Sequence, residues 1–448
     1  MIELTLNEIL EATGGRARAP LPEGRIADIT LDSRAVSDGS VFVALKGERA
    51  DGHDFVKGLE GRALCAVVER EVDADIPQII VGSTYRAVGA IGAYIREKSG
   101  VTVVGVTGSV GKTSVKELTA SVISQRFSVL KTEKNHNNEL GLPMTLFRLT
   151  EEHEVAVLEM GISYFGEMDR ISRIARPDIA VYTNIENVHT ENLHDRDGVL
   201  RAKTELVPNM RGNTLVLNAE DDKLRGYKLP NGKKAVYYGF GEDRFVRASE
   251  LRYDGMDSTS FTLHVGADSI GVELPASGRH MVLDALAAAA AGHELGLTME
   301  EIKRGLECYK TVEGRMQRLD WHGAVIINDC YNASPTSMAA SLNVLSQAKG
   351  RRLALLGDML ELGAKSDELH AGIGRLAASL GLDALWTVGE SGRLISDAAS
   401  GAGLENAVNL SRDEAAESIR NTLREGDTLL VKASRGMALE KIIKAVME

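Results

Sequence analysis

Nothing in these 448 residues reads as a disulfide framework, a membrane span or a coat for nucleic acid. Three cysteines, Cys65, Cys308 and Cys330, are odd in number and far apart, so neither a set of disulfides nor a CxxC metal site is available. They read instead as buried small hydrophobes. The longest apolar run, "ALAAAAAG" at 285 to 292, is too short and too alanine-rich to cross a bilayer. The first residues, "MIELTLNEIL", lack the basic flank and apolar core of a signal peptide, and a cytoplasmic location is the expectation. A net charge of −12 excludes a chain whose main work is binding phosphate backbones, although a local basic pocket is compatible with it. Aromatic residues make up only 4%, which suits many small alternating α/β elements. There is no fixed-period repeat and no low-complexity tract.

What is present is an ordinary globular composition, 44% hydrophobic and 26% charged, over a length that predicts roughly two to four domains. Short strands and turns ("ITLDSRAV", "SVFVALKG", "CAVVERE") lead to a helical stretch, "YRAVGAIGAYIREKSG", which Gly100 closes. From Val101 the pattern is strand, glycine loop, helix. Three later apolar runs, "EVAVLEMG", "DIAVYTNI" and "NTLVLNAEDD", end in polar residues, as buried parallel strands do where their C-terminal ends face a ligand. A third section starts near "VEGRMQRL" and alternates strands ("AVIINDCY", "RLALLGDM", "ALWTVG", "TLLVKAS") with helices. Ser334-Pro335 predicts a helix start there, and "SRDE" at 411 to 414 a capping box. The expected fold class is therefore α/β in three domains: 1–98, a small α/β unit; 99–313, a P-loop unit with a mostly parallel sheet; and 314–448, a second α/β unit.

The central motif is "VVGVTGSVGKTSVKE" at 103 to 117. A strand that feeds a glycine turn and then a helix presents backbone N–H groups and a positive helix end to an anion. Thr107, Gly108, Ser109, Val110, Gly111 and Ser114 would wrap a nucleoside triphosphate, Lys112 would reach its β/γ-phosphates, and the Thr113 hydroxyl would bind Mg²⁺. Strict spacing places the first glycine at 106, which is Val106; the glycine comes two residues later, so the loop is a shortened variant.

Other polar clusters are ambiguous by residue type alone. Asn135, Asn137 and Asn138 follow a strand, where asparagines serve turns as readily as ligands. Glu159 ends a strand and is either surface or a carboxylate for Mg²⁺. His189, His194 and Lys203 share one stretch, and spacing leaves their role open. Asp32, Ser33, Arg34, Lys46, Asp51 and His53 sit in loops that are either solvated or suited to a diphosphate, which arginine binds in bidentate fashion.

Taken in order, "TGSVGKTS", "NHNNELGLPMTL", "LEMGIS", "TNIENVH", "RAKTEL", "SGRHMVLDALAAAA", "GRMQ" and "NDCYNASPTSM" resemble the Mur ligase family over essentially the whole chain. "DSR" and "DGH" resemble the two members that add the third and the last residues of the muramoyl peptide, and "LLGDMLELGAKSDELH" is similar to the last of these; the "DNPR" of the diaminopimelate-adding member is missing. The resemblance implies an N-terminal domain for a UDP-sugar, a central ATPase domain and a C-terminal Rossmann-like domain that closes over ATP; shielding an acyl phosphate from water predicts a hinge near 312 to 315. The resemblance also implies ATP with two Mg²⁺ ions, and UDP-N-acetylmuramoyl-tripeptide and D-alanyl-D-alanine as substrates of an ATP-driven amide ligase in peptidoglycan precursor synthesis; a monomer is the default expectation.

By the same resemblance, Lys112, Glu159, His189 and Lys203 are catalytic; Thr113 and Glu159 hold one metal, and His189 with a carbamylated Lys203 serves the second. Asn138, His280, Arg315, Asp329 and Asn332 join the phosphate loop around the nucleotide, and Ser33, Arg34, Lys46, Asp51, His53 and Asn135 contact the UDP substrate. After His280 the family commonly has two asparagines where this chain has Met281 and Asp284. Rival readings are the diaminopimelate- or lysine-adding ligase, folylpolyglutamate synthase and, from another class, a P-loop kinase.

Overall fold

A computed structural model describes residues 1–448. Three sheets follow one another along the chain, and the class is α/β as expected. The first has five strands in the order Arg16–Ala17, Gln78–Ile80, Ala63–Val68, Ser40–Val43, Asp28–Thr30, antiparallel only at its first pair.

The second has nine strands. At its centre Thr102–Thr107 lies between Ile179–Tyr182 and Val155–Glu159, with Val129–Lys131 at one edge; Thr214–Asn218 and Lys234–Gly239 follow in parallel on the other side. Every residue of Val155–Glu159, Ile179–Tyr182 and Thr214–Asn218 is buried, the state of parallel strands covered on both faces.

Beyond them the sheet continues through Val246–Asp254, Ser258–Val265 and Asp268–Leu274, whose mutual pairing is antiparallel. The sequence predicts no strand in this stretch. Its signal is different in kind: Ser258–Val265 alternates buried and more open positions, as a strand with one covered face does, and carries no long apolar run.

The third sheet has six strands, Gln317–Trp321, Ala324–Asn328, Thr428–Lys432, Arg352–Gly357, Ala384–Val388 and Ala407–Leu410, parallel after the first pair. Ser334 caps the helix Pro335–Leu345 and Ser411 caps Arg412–Thr422, each within a capping box.

The first two units share a core. One apolar cluster runs from Ile2 and Leu4 through Val88 and Ile95 to Leu142 and Ile171. Arg96, almost fully buried, ties the join: its Nε donates to Ala175 O at 2.9 Å and its Nη2 to Asp178 Oδ2 at 2.9 Å, an oxygen that also accepts Val103 N. Two clusters on the faces of the third sheet belong mainly to that unit. It meets the centre through polar pairs such as Arg318–Asp257 at 2.7 Å and Ser277–Gln347 at 3.3 Å, the kind of join that permits domain motion. Cys65 and Cys330 are buried as expected, but Cys308 is exposed because it caps the end of helix Met299–Glu307 instead of entering its apolar face. No helix is long and apolar enough to cross a membrane.

Helix Lys112–Ile123, which starts at the phosphate loop, is wedged against helix Met299–Glu307. A Cβ on Gly305 would lie 2.3 Å from Val122 Cα, a backbone atom that cannot turn away. Gly305→Ala is expected to destabilise the protein by about 3 kcal/mol, since overpacking forces backbone shifts. An unchanged urea midpoint would show that the two helices part freely.

Candidate active site

The phosphate loop is shaped by the strand next to it. Gly108 has φ +145°, and a Cβ there would lie 1.9 Å from Thr183 Oγ1, so only glycine fits. Asn184 brackets Val110: its Oδ1 accepts the Val110 N–H at 2.9 Å, and its Nδ2 donates to Val110 O at 3.2 Å. Ser109 N donates to Asn184 O at 2.9 Å, and Ser109 Oγ accepts the Glu186 N–H at 2.8 Å. Thr183 and Asn184 open the "TNIENVH" stretch at the end of a buried strand, but the sequence assigned neither of them a role. No side chain caps helix Lys112–Ile123, which leaves its first N–H groups for an anion.

Lys112 Nζ donates to Gly108 O and Ser109 O, both at 2.9 Å, and burial lowers its pKa, with Arg315 adding to the effect and Glu159 opposing it. Thr113 Oγ1 donates to Glu159 Oε2 at 2.8 Å, while Asn137 Nδ2 donates to Glu159 Oε1 at 2.8 Å. A hydroxyl and a carboxylate thus meet at the helix start, which is the oxygen chemistry Mg²⁺ takes. Asn137 earns its place by orienting Glu159, whereas Asn138 Oδ1 caps the next helix through Leu140 N and Gly141 N. Asn135 and Asn138 are exposed beside the same cleft.

Lys203 is almost fully buried on helix Arg196–Thr204. Burial drives its pKa well below the ordinary lysine value, and the nearby Lys112 pushes the same way, with no acid opposing. His189, at φ 53°, has its pKa lowered by burial; its Nδ1 lies 2.7 Å from Glu361 Oε2 of the third unit. His194, also at a positive φ, has its ring 6.2 Å from that of Phe165 and does not line the cleft. No three His, Cys, Asp or Glu side chains converge as a ready metal cage. That fits Mg²⁺, which keeps waters and phosphate oxygens among its ligands.

The third unit contributes from the opposite wall. Arg315 Nη2 donates to Thr113 Oγ1 at 2.9 Å, and its guanidinium stacks 4.2 Å over the Tyr331 ring. Asp329 is anchored by Lys432 Nζ at 2.6 Å and Ser341 Oγ at 2.7 Å, and accepts the Met316 N–H at 3.1 Å. Lys432 also donates to Asn332 O at 3.0 Å and holds the two predicted residues together; it was not foreseen, since a lone lysine ending a strand carries no motif. His280 is held down to about 4 by burial and is neutral at pH 7. Asp284 faces Gly111: a Cβ on that glycine would be 3.0 Å from Asp284 Oδ1. Burial pushes the Asp284 carboxyl well above the usual range, and a neutral acid has both a donor and an acceptor, as asparagine does. These groups line one cleft of about 1280 Å³, larger than the ~300–1,000 Å³ of an ordinary small-ligand pocket.

The predicted residues of the first unit lie elsewhere; none lines this cleft. Ser33 opens a short turn, and exposed Arg34 forks onto Asp32 through Nε at 2.8 Å and Nη2 at 2.7 Å, holding that carboxyl at about 2. Lys46 bridges Asp51 through the backbone. His53 is buried with both ring nitrogens engaged inside the protein: Nδ1 with Asp51 Oδ1 at 2.6 Å, and Nε2 as acceptor of the Glu69 N–H at 2.8 Å.

Comparison with known proteins extends this picture. The profile of the Mur ligase family catalytic domain matches 25–99, the Mur ligase middle domain 106–292, and the Mur ligase glutamate ligase domain 314–435. The UDP-N-acetylmuramoyl-tripeptide--D-alanyl-D-alanine ligase of Escherichia coli (strain K12) is 36% identical, over 100% of this chain and 99% of its own. The chain belongs to the Mur ligase family. Among solved Mur ligases, MurF from Acinetobacter baumannii superposes with TM-score 0.92 at 34% identity, over 99% of each chain. MurF from Thermotoga maritima, solved in complex with ADP, gives 0.83 at 29% identity over 94% of this chain and 97% of its own.

Proposed function

We propose that this Mur ligase joins D-alanyl-D-alanine to UDP-N-acetylmuramoyl-tripeptide, with ATP converted to ADP and phosphate. The observation that carries the chemistry is that the uncapped helix start with its Thr113–Glu159 pair shares one cleft with His189, while Arg315 and Lys432 face it from the third unit. The substrate assignment rests on full-length similarity to ligases of that name.

A carboxylate is a poor electrophile at neutral pH. In the proposed route an oxygen of the tripeptide's terminal carboxylate attacks the γ-phosphorus, the bond to the β-bridging oxygen breaks, and ADP leaves an acyl phosphate. The free amine of D-alanyl-D-alanine then attacks the acyl carbon; the C–N bond forms, phosphate departs with the C–O electrons, and the ammonium proton passes to solvent. Lys112 and the N–H groups of the helix start hold the β/γ-phosphates, and Arg315 approaches the same oxygens from the other wall. Mg²⁺, when bound through Thr113 and Glu159 and through His189 with Lys203 as a carbamate, offsets charge on the phosphates and the attacking carboxylate.

Asp329 and Asn332, fixed by Lys432, with Asn138, His280 and Asp284, enclose the nucleotide; Asp284 as a neutral acid serves where relatives have asparagine. Ser33, Arg34, Lys46 and Asn135 contact the UDP substrate, with Asp51 and His53 shaping that loop. We assign 1–98 to the UDP substrate, 99–313 to ATP and 314–448 to the dipeptide.

An acyl phosphate hydrolyses readily, so the third domain closes over it on residues 312–315, which include Gly314 and adjoin Met316, both at positive φ. Small-angle scattering is expected to show compaction when ATP and UDP-tripeptide are added together; an unchanged radius of gyration would exclude a hinge. The deciding assay is phosphate release from ATP with UDP-tripeptide, with and without D-alanyl-D-alanine, while the product is followed by mass. Release that needs the dipeptide and matches pentapeptide one for one is expected. Dependence on a single amino acid would move the substrate within the family, and a phosphorylated acceptor without amide would indicate a kinase.

A further inference from the structure

The contact between His189 and Glu361 joins two domains, and nothing in the reaction above uses Glu361. Both residues are held in a left-handed backbone conformation that non-glycine residues seldom adopt, φ 53° for His189 and 64° for Glu361. The segment that carries Glu361 is braced on both sides. Met359 N donates to His370 Nε2 at 2.9 Å, Leu360 N donates to Ser434 Oγ at 2.9 Å, and Asp358 Oδ1 accepts the Gly392 N–H at 2.6 Å. Just beyond it, a Cβ on Gly363 would lie 3.7 Å from Thr190 Oγ1, so the tip rests on the turn that follows His189. The Glu361 side chain is 59% exposed and has no other partner of opposite charge. This is the "LLGDMLELGAKSDELH" stretch of the sequence, now given a physical task.

We propose that Glu361 is a positioning residue for His189: its carboxylate accepts the Nδ1–H, fixes the tautomer and leaves Nε2 as the lone-pair nitrogen for a divalent cation. A histidine ligand ordinarily has such an acceptor behind it. Here it is delivered by the third domain. The cation site at His189 is therefore complete only when the domains meet, and by reciprocity the cation favours closure by the same factor that closure raises its affinity. This rests on the reading of His189 as a metal ligand.

The test is titration of Mn²⁺ into the full-length protein with a saturating non-hydrolysable ATP analogue, with free Mn²⁺ followed by electron paramagnetic resonance. The wild type is expected to bind two ions. Glu361→Ala weakens one of them by about 10–100-fold and leaves the other, at Thr113 and Glu159, unchanged. Glu361→Gln keeps an acceptor oxygen and stays within about threefold of the wild type. The double variant with His189→Ala binds no more weakly than His189→Ala alone. Two ions bound at wild-type affinity by Glu361→Ala would overturn the proposal and leave the ligase assignment intact, as would a Gln variant as weak as the Ala variant. One ion in the wild type would remove His189 as a ligand and the proposal with it.

Discussion

Lys112→Ala is expected to lower kcat by about 10³-fold, because in the proposed reaction it deletes the cation that faces the transferring phosphoryl group, where electrostatic stabilisation dominates. The lysine is held at the loop. Its ammonium bridges two carbonyls of the loop it serves, Gly108 O and Ser109 O, and burial makes it costly to keep charged without an anion nearby. Loss of the side chain also removes a desolvated charge, so thermal stability in the absence of nucleotide changes little. A kcat within tenfold of the wild type, measured at saturating ATP, would show that the helix N-terminus and Arg315 suffice. Lys112→Arg does not rescue, since a planar fork cannot reproduce a point donor between two carbonyls.

Lys203→Ala carries the second large effect, a fall of about 10³-fold in kcat, expected from loss of the cation site proposed for it and His189. The structure gives this lysine no acid to pair with, and burial beside Lys112 drives it toward the neutral amine. A neutral amine is the form that adds CO2, and the addition yields a carbamate anion and one released proton, so occupancy rises with pH and with dissolved CO2. Enzyme equilibrated with ¹³C-bicarbonate should show one carbamate carbon resonance, absent from Lys203→Ala. Without CO2 the variant should be no less stable than the wild type, because an unpaired buried amine is removed rather than a contact. A wild type with full activity and no such resonance would refute the carbamate.

Much of the fold was legible for a simple reason. Parallel strands covered on both faces demand continuous apolar residues, so "EVAVLEMG", "DIAVYTNI" and "TLLVKAS" announce themselves. Helix ends are local too: Gly100 at φ 63° and the boxes at Ser334 and Ser411 depend on neighbours a few residues away. The antiparallel extension from Val246 to Leu274 escaped because its signal is alternation, which turns and exposed strands share. At the site, residues inside the glycine motif could be named, but their supports could not. Asn184 pins Val110 from 74 positions away and Lys432 anchors Asp329 from 103, and no local pattern encodes such a pairing.

The sequence by itself determined the α/β class, the phosphate loop and the polar residues around it, because those follow from hydrophobic period, glycine conformation and side-chain chemistry over short spans. Only the tertiary structure decided which polar residues act together. Glu159 becomes a partner for Thr113 rather than a surface acid, Lys203 loses its counter-charge, His53 turns inward, and Glu361 meets His189 across a domain boundary. The physical reason is that burial and charge pairing belong to the three-dimensional neighbourhood: a side chain's protonation, partner and reach are set by what the fold packs beside it.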